Sequence, residues 1–119
     1  MKDILLENLA FHLNGRLWIE SNNDRFLGIG RLELLEKIEV HGSISKAAQA
    51  MGMSYKKAWD LISSINAQVR VPLVSTQAGG KRGGGAVLTP EGKRVVEIFQ
   101  GMQARFQQFI EQETARLYE

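Results

Sequence analysis

Residues 43–66 read SISKAAQAMGMSYKKAWDLISSIN, and this stretch predicts two short helices joined by a tight turn. Ser45 is the expected N-cap of the first helix, because a serine hydroxyl can accept a hydrogen bond from a free amide of the first turn. Gly52 is expected to end that helix, since glycine adopts the left-handed C′ conformation without a steric penalty. Ser54 then caps the second helix.

Apolar residues recur at helical spacing on both predicted helices. The first helix carries small residues on this face, which let a second helix cross it closely, as a helix-turn-helix requires. The inward-facing residues are Ala47, Ala48 and Met51 on the first helix and Ala58, Leu61, Ile62 and Ile65 on the second.

Polar residues outside this apolar stripe gather near the start of the second helix. In a DNA-binding helix-turn-helix, this end of the recognition helix meets base edges and phosphates. The alternative is that its two lysines form an ordinary solvated face. The predicted DNA-binding residues of the helix pair are Ser43, Ser45, Ser54, Tyr55, Lys56, Lys57, Asp60 and Ser63.

The composition limits the function. A chain of 119 residues is expected to form one domain, residues 1–119. With no cysteine, two histidines far apart in sequence (His12 and His41) and no visible pair of carboxylates, we expect no metal site, no cofactor and no enzyme activity. No apolar run approaches the roughly 18 residues of a membrane span. The acidic residues near the start are unlike a signal peptide, so we expect a cytoplasmic protein.

Positive charge is concentrated in one segment. Residues 54–94 carry seven Lys or Arg and two Asp or Glu side chains, a net charge of +5, which leaves −3 for the rest of a chain whose total is +2. Such clustering is typical of a surface that binds the phosphate backbone of nucleic acid.

Residues 1–29 predict N-terminal strands. Residues 1–13 fit either a helix that begins at Asp3 or strands about Asn14-Gly15, since Asn-Gly is the strongest two-residue hairpin signal. Residues 16–28 contain two strand-like segments separated by the turn-forming sequence SNND. We therefore expect a small antiparallel ribbon ahead of the helices.

Residues 30–89 are expected to hold the helix-turn-helix and a β-wing. The segment from Gly30 to His41 has helical periodicity, and Gly42 is its expected stop. The apolar face of this first helix consists of Leu32, Leu35 and Ile38, with Leu34 at its margin.

The wing is predicted from a glycine-rich, basic loop between two strand-like segments, 71–76 and 87–89. The absent side chains allow the main chain to approach a phosphate or groove wall closely. A bare linker is the alternative, but a linker would not be flanked by strands. A nucleotide-binding P-loop is excluded, because Lys81 is followed by Arg82 rather than Ser or Thr. The predicted DNA-binding residues of the wing are Lys81, Arg82 and Gly83.

Residues 90–119 predict a long C-terminal helix that begins at Thr89-Pro90-Glu91, with an N-cap, a proline at N1 and an acid in the first turn. Apolar residues then fall at alternating steps of four and three, a seam of about two heptads. The seam can pack on its own domain, but its length favours pairing with a second copy. The predicted dimer-interface residues are Val95, Phe99, Met102, Phe106 and Phe109.

The predicted fold class is α+β, mainly α: a winged helix-turn-helix with a small N-terminal β-ribbon and a long C-terminal dimerisation helix. Three motifs point to a family: GSISKAA (42–48), GMSYKKAWD (52–60) and GGKRGGGAVLT (79–89). On these motifs the chain resembles the N-terminal DNA-binding domain of molybdate-dependent, ModE-type transcriptional regulators, relatives of the LysR-type winged helices. The first motif is shared by many LysR-like domains, whereas the second and third are more specific.

The resemblance implies a homodimeric, cytoplasmic regulator that binds double-stranded DNA. Trp59, within the second motif, is either a packing residue or a base reader; a partly buried packing residue is favoured, because tryptophan is rarely free on a helix surface. The full-length regulators carry a C-terminal oxyanion-binding region that this chain does not supply, so we expect DNA binding without molybdate sensing. The alternative functions are a protein-interaction module with the same fold and an oxyanion-binding protein whose glycine-rich amides hold an anion.

Overall fold

The computed structural model describes residues 1–77 and 85–119, and every structural statement below refers to these residues. The helices are α1 (Ile29–His41), α2 (Ile44–Ala50), α3 (Tyr55–Asn66) and α4 (Pro90–Arg116). Two antiparallel hairpins pair β1 (Ile19–Glu20) with β2 (Arg25–Leu27) and β3 (Val74–Gln77) with β4 (Gly85–Leu88). This mainly helical arrangement confirms the predicted winged helix-turn-helix.

The chain forms two compact units. We call residues Trp18–Phe99 the helix-turn-helix unit, and Met1–Leu17 together with Gln100–Glu119 the terminal unit. Helix α4 begins in the first and ends in the second.

The core of the helix-turn-helix unit lies where α1 packs on α2 and β4, and where α2 packs on α3. The predicted apolar faces supply this core, because their helical spacing places each set of side chains on one side of its helix. Leu34, predicted at the margin of the α1 face, is fully buried. The largest fully buried side chains of the chain are Leu27, Leu34, Leu35, Ile38, Ile65, Leu73 and Phe99.

Serine caps begin both helices of the pair, but one of them differs from the prediction. Ser43, not Ser45, caps α2: its backbone is extended and its hydroxyl accepts from the Lys46 amide. Gly42, in the left-handed region at φ 65°, ends α1 just before it, so the next helix begins at Ile44, whose side chain is buried. Ser54 caps α3 as predicted, accepting from the Lys57 amide at 3.1 Å.

The first hairpin confirms the ribbon predicted within residues 16–28. Its register pairs Ile19 with Leu27, and the turn between the strands is the predicted one. The Arg25 guanidinium lies over the Trp18 ring, 4.7 Å from its centroid, and this cation–π contact covers one face of an exposed indole.

The second hairpin is tied to both ends of the helix pair. The register runs from Val74 opposite Leu88 to Gln77 opposite Gly85. The Asn66 amide at the end of α3 donates to the Val74 carbonyl, and the Ala86 amide on β4 donates to the Gly42 carbonyl ahead of α2. The hairpin is thereby fixed beside both helices.

The start of α4 agrees with the predicted capping sequence. The Thr89 hydroxyl accepts from the Gly92 amide at 3.0 Å and donates to the Pro72 carbonyl at 2.7 Å. Gly92 packs against the backbone of Leu73, where any side chain would overlap the carbonyl oxygen. The N-terminus of α4 is thus locked to the segment that enters β3.

The terminal unit overturns both alternatives for residues 1–13, which form neither a helix nor strands, and Asn14-Gly15 does not make a hairpin. The segment is held by side chains of α4 and the C-terminal turn instead of by a neighbouring strand. The Leu13 amide donates to the Thr114 hydroxyl at 2.9 Å, and the Phe11 amide donates to the Tyr118 hydroxyl at 2.7 Å. Gly15 lies against the Phe106 ring, so tertiary contacts replace the local signals.

Candidate nucleic-acid interface

The first two turns of α3 present a polar, exposed face. Tyr55, Lys56, Lys57 and Asp60 are all exposed there, and Ser63 continues the face one turn further. Lys56 donates to Asp60 at 3.0 Å, an exposed pair four residues apart. Such a pair stabilises a helix by only about 0.3–0.5 kcal/mol, so a phosphate can compete for the lysine.

Lys57 differs from its neighbour. Within the part of the chain that the structure describes, no carboxylate pairs with its ammonium group. It lies in the first turn of α3, where the free amides and the helix dipole also favour a negative charge. An unpaired lysine beside a helix N-terminus is suited to a backbone phosphate.

The two predicted serines on α2 have different surroundings. Ser43 is half-buried, and its hydroxyl is used in the cap of α2, whereas Ser45 is exposed in the first turn of the helix. Both line an open concavity of about 250 Å³ at the junction of α2, α3 and the β3–β4 hairpin. The described residues around it are Ser43, Ile44, Ser45, Tyr55, Trp59, Thr76, Gln77, Gly85 and Ala86.

The side chain of Trp59 is 43% exposed and lies on the wall of this concavity, so it is partly covered without belonging to the core. It stacks on Tyr55, one turn earlier, with ring centroids 6.4 Å apart and planes inclined by 22°. The sequence contains a signal for this stack, because Tyr55 and Trp59 are four residues apart and therefore neighbours on one helix face. Trp59 also lies outside the apolar stripe of Ala58, Ile62 and Ile65.

The opposite end of α3 is anchored by polar contacts. The Ser64 hydroxyl donates to the Asp24 carboxylate at 2.5 Å, and Arg31 lies 3.5 Å from the same carboxylate. The Ser64 hydrogen bond, the Arg25 amide and the Arg31 charge together lower the pKa of Asp24 despite some loss of hydration. These contacts join the β1–β2 turn, α1 and α3, and they fix the C-terminal end of α3.

The wing residues Lys81, Arg82 and Gly83 lie outside the described residues, so their role in DNA binding stays a prediction. The strands that lead into this loop are in place, with β3 and β4 paired along their full length.

The predicted dimer-interface residues fall into both units. In the helix-turn-helix unit, Val95 is half-buried and Phe99 is only 1% exposed. Phe99 is therefore a core side chain with no surface left for a second copy, because its position on the seam coincides with the inner face of α4. In the terminal unit, Met102 and Phe106 are half-buried and Phe109 is 54% exposed.

Comparison with known families decides the relationship. The model of the bacterial regulatory helix-turn-helix proteins, lysR family, matches residues 29–93, which hold α1, α2, α3, both strands of the second hairpin and the start of α4. This protein belongs to that family. The residues that match this lysR-family model include the helix pair whose geometry is described above.

Individual relatives of this lysR-family protein confirm the ModE-type resemblance. The chain is 38% identical over 104 residues to the molybdenum transport protein ModE of Azotobacter vinelandii, covering 87% of this chain and 38% of that protein. It is 46% identical over 69 residues to the DNA-binding transcriptional dual regulator ModE of Escherichia coli K12, covering 58% of this chain and 26% of the regulator.

A third relative is the molybdenum-pterin-binding protein MopB of Rhodobacter capsulatus, 44% identical over 78 residues, with 66% of this chain and 29% of MopB covered. The lysR-family chain therefore spans less than two fifths of the length of these curated relatives. Within residues 1–77 and 85–119, no helix is both long and apolar enough to cross a membrane.

Proposed function

We propose that this chain binds double-stranded DNA as the recognition part of a cytoplasmic transcriptional regulator. The observation that carries the proposal is the exposed, lysine-bearing face in the first two turns of α3. In this fold the second helix of the pair enters the major groove, and its N-terminal residues reach the base edges. In that arrangement we expect Lys56 and Lys57 to contact phosphates.

Selection of binding sites from a random duplex pool tests this function. We expect enrichment of a defined sequence, with an affinity that falls steeply as salt rises because lysines displace counterions from phosphates. Weak binding without sequence preference would instead favour a module that docks an acidic protein. Heat released on titration with molybdate alone would support the oxyanion-binding alternative.

We further propose that the active form is a homodimer joined through the terminal unit. Its support is the apolar surface of this unit: Ile4, Leu6 and Leu9 are 78%, 65% and 50% exposed, and Phe109 and Tyr118 are also exposed. Several of these residues surround a concavity of about 520 Å³. Apolar groups grouped in this way are typical of an interface.

A two-fold dimer has a consequence for the DNA site. Two recognition helices related by the symmetry axis are expected to read inverted half-sites about 34 Å apart, one turn of the double helix. Sedimentation equilibrium measures the assembly, and the spacing of the half-sites in the selected duplexes measures the geometry. A monomer at tens of micromolar that binds a single, asymmetric site would contradict the dimer while leaving DNA binding intact.

A further inference from the structure

The stacked rings of Tyr55 and Trp59 are an unusual feature of the surface proposed to face DNA. Their side chains are 54% and 43% exposed, although both rings are large and mostly apolar. They lie on the same two turns of α3 as Lys56 and Lys57. Exposed aromatic rings beside cations are typical of a surface whose apolar part is covered by a ligand.

The described residues that line the concavity beside the rings carry no charge. Besides the two rings, this lining includes the hydroxyl groups of Ser45 and Thr76 and the amide of Gln77. A phosphate would need a cation or several aligned amides at this point. The chemistry of the wall fits an uncharged, partly apolar group, while the lysines on the adjoining turn attract the phosphates around it.

In the major groove, one base has an apolar substituent at its edge. Thymine carries a C5 methyl group there, next to its O4 acceptor, whereas the other three bases carry no methyl group. The methyl group can pack against a ring, and O4 can accept a hydrogen bond from a neighbouring hydroxyl or amide. The aromatic wall and the polar lining of the concavity match this combination.

We propose that Tyr55 and Trp59 form an apolar contact that selects thymine through its C5 methyl group. The inference rests on the proposed binding of duplex DNA and adds a base preference to it. Ser45, Thr76 and Gln77 supply the polar side of the same contact, and the lysines hold the phosphate backbone in register.

The test uses the duplex that the full chain itself selects from a random pool. Each thymine is replaced in turn by deoxyuridine, which removes the methyl group and leaves the pairing edge unchanged. We expect at least one thymine in each half-site to lose about fourfold in affinity, the effect of one buried methyl group. Equal affinity at every substituted position would overturn the proposal.

Ring variants assign that loss to the two side chains. In Trp59→Ala and in Tyr55→Ala, the ratio of the thymine and deoxyuridine affinities at the sensitive position is expected to fall towards one, because each variant removes one of the two stacked rings that together form the contact. Tyr55→Phe keeps the ring and is expected to keep the ratio. Trp18→Ala is the matched control: Trp18 is also 43% exposed but does not line the concavity. An unchanged ratio in both alanine variants would overturn the proposal.

Fluorescence gives an answer that does not depend on the alanine variants folding. The chain has two tryptophans, so Trp18→Phe leaves Trp59 as the sole indole emitter. Binding of the selected duplex is expected to change the Trp59 emission, with a smaller change for the deoxyuridine duplex. If the Trp59 emission does not change when the selected duplex binds, the proposed contact with thymine is overturned. If no duplex is selected at all, the proposed function itself fails, and this outcome differs from sequence-specific binding without a methyl effect.

Discussion

The helix-turn-helix unit and the terminal unit are each stabilised internally by a different kind of contact. In the helix-turn-helix unit, α1, α2, α3 and the β3–β4 hairpin enclose a set of fully buried side chains. In the terminal unit, no described side chain is buried, and hydrogen bonds to the Thr114 and Tyr118 hydroxyls hold the N-terminal segment. The first unit is stabilised by its own core, whereas the second exposes apolar surface that a partner copy can cover.

The largest expected effect contrasts two glycines of the same helix. Gly92→Ala places a methyl group onto the Leu73 carbonyl oxygen, so we expect the free energy of unfolding to fall by about 3 kcal/mol. Gly101→Ala, in the terminal unit, meets only the movable end of the Arg105 side chain, at 3.2 Å. Because alanine favours a helix by about 1 kcal/mol over glycine, that variant is expected to gain stability.

Urea denaturation of both variants measures the difference. Weaker self-association of Gly101→Ala would show that a second copy approaches α4 at that glycine, whereas a loss of stability alone would show that the Arg105 side chain does not move aside. If Gly92→Ala is neutral, the close packing between the start of α4 and the entry to β3 is not tight in solution.

The second effect concerns self-association. Ile4→Asp places a charge in the apolar surface of the terminal unit, so we expect the dimer dissociation constant to rise by at least about tenfold, from the loss of one apolar side chain. Val40→Asp is the matched control, since Val40 is 76% exposed on α1 and Ile4 is 78% exposed. Analytical ultracentrifugation compares them, and equal dimerisation of both variants would argue against the terminal unit as the interface.

The third effect concerns salt dependence. Lys57→Ala removes an exposed charge from the first turn of α3, and we expect the slope of log affinity against log salt to fall by about one unit. Lys56→Ala is expected to do the same once its pairing with Asp60 gives way to a phosphate. Lys2→Ala in the terminal unit serves as the control. If the slope of log affinity against log salt is the same in Lys56→Ala and Lys57→Ala as in the Lys2→Ala control, neither α3 lysine contacts a phosphate.

The smallest effect concerns the hydrogen bond between Ser64, near the C-terminal end of α3, and Asp24. The pKa of Asp24 is lowered chiefly by the Ser64 hydroxyl, so the ionised carboxylate favours the folded state. This contribution is present above the ordinary pKa of an aspartate, about 4, and is lost as pH falls through the lowered folded value. Ser64→Ala is therefore expected to lower Tm slightly at pH 7 and to leave it nearly unchanged at pH 2.

Ser63→Ala is the control for this comparison of Tm at two pH values, because Ser63 is exposed and makes no hydrogen bond to Asp24. Thermal unfolding followed by circular dichroism at both pH values gives the comparison. A Tm difference for Ser64→Ala that is as large at pH 2 as at pH 7 would show that packing, and not the ionised carboxylate, accounts for it.

Local chemistry was enough to predict much of the fold. The Ser54 cap, the left-handed Gly42, the Thr89-Pro90 helix start and the first hairpin each depend on a few neighbouring residues, so their signals are complete within the sequence. The apolar spacing of α3 predicted its buried side, and the exposed lysine-bearing side followed from it.

The tertiary structure decided the local conformation where two neighbouring residues suited the same role, or where side chains distant in sequence contacted the segment. Ser43 and Ser45 both suit an N-cap, and the end of α1 together with the burial of Ile44 selected Ser43. The apolar seam of α4 gave no way to separate the buried Phe99 from the exposed Phe109, because spacing along one helix does not reveal where its neighbours end. Asn14-Gly15 forms no hairpin, since side chains about a hundred residues away hold this segment, and no local pattern contains that contact.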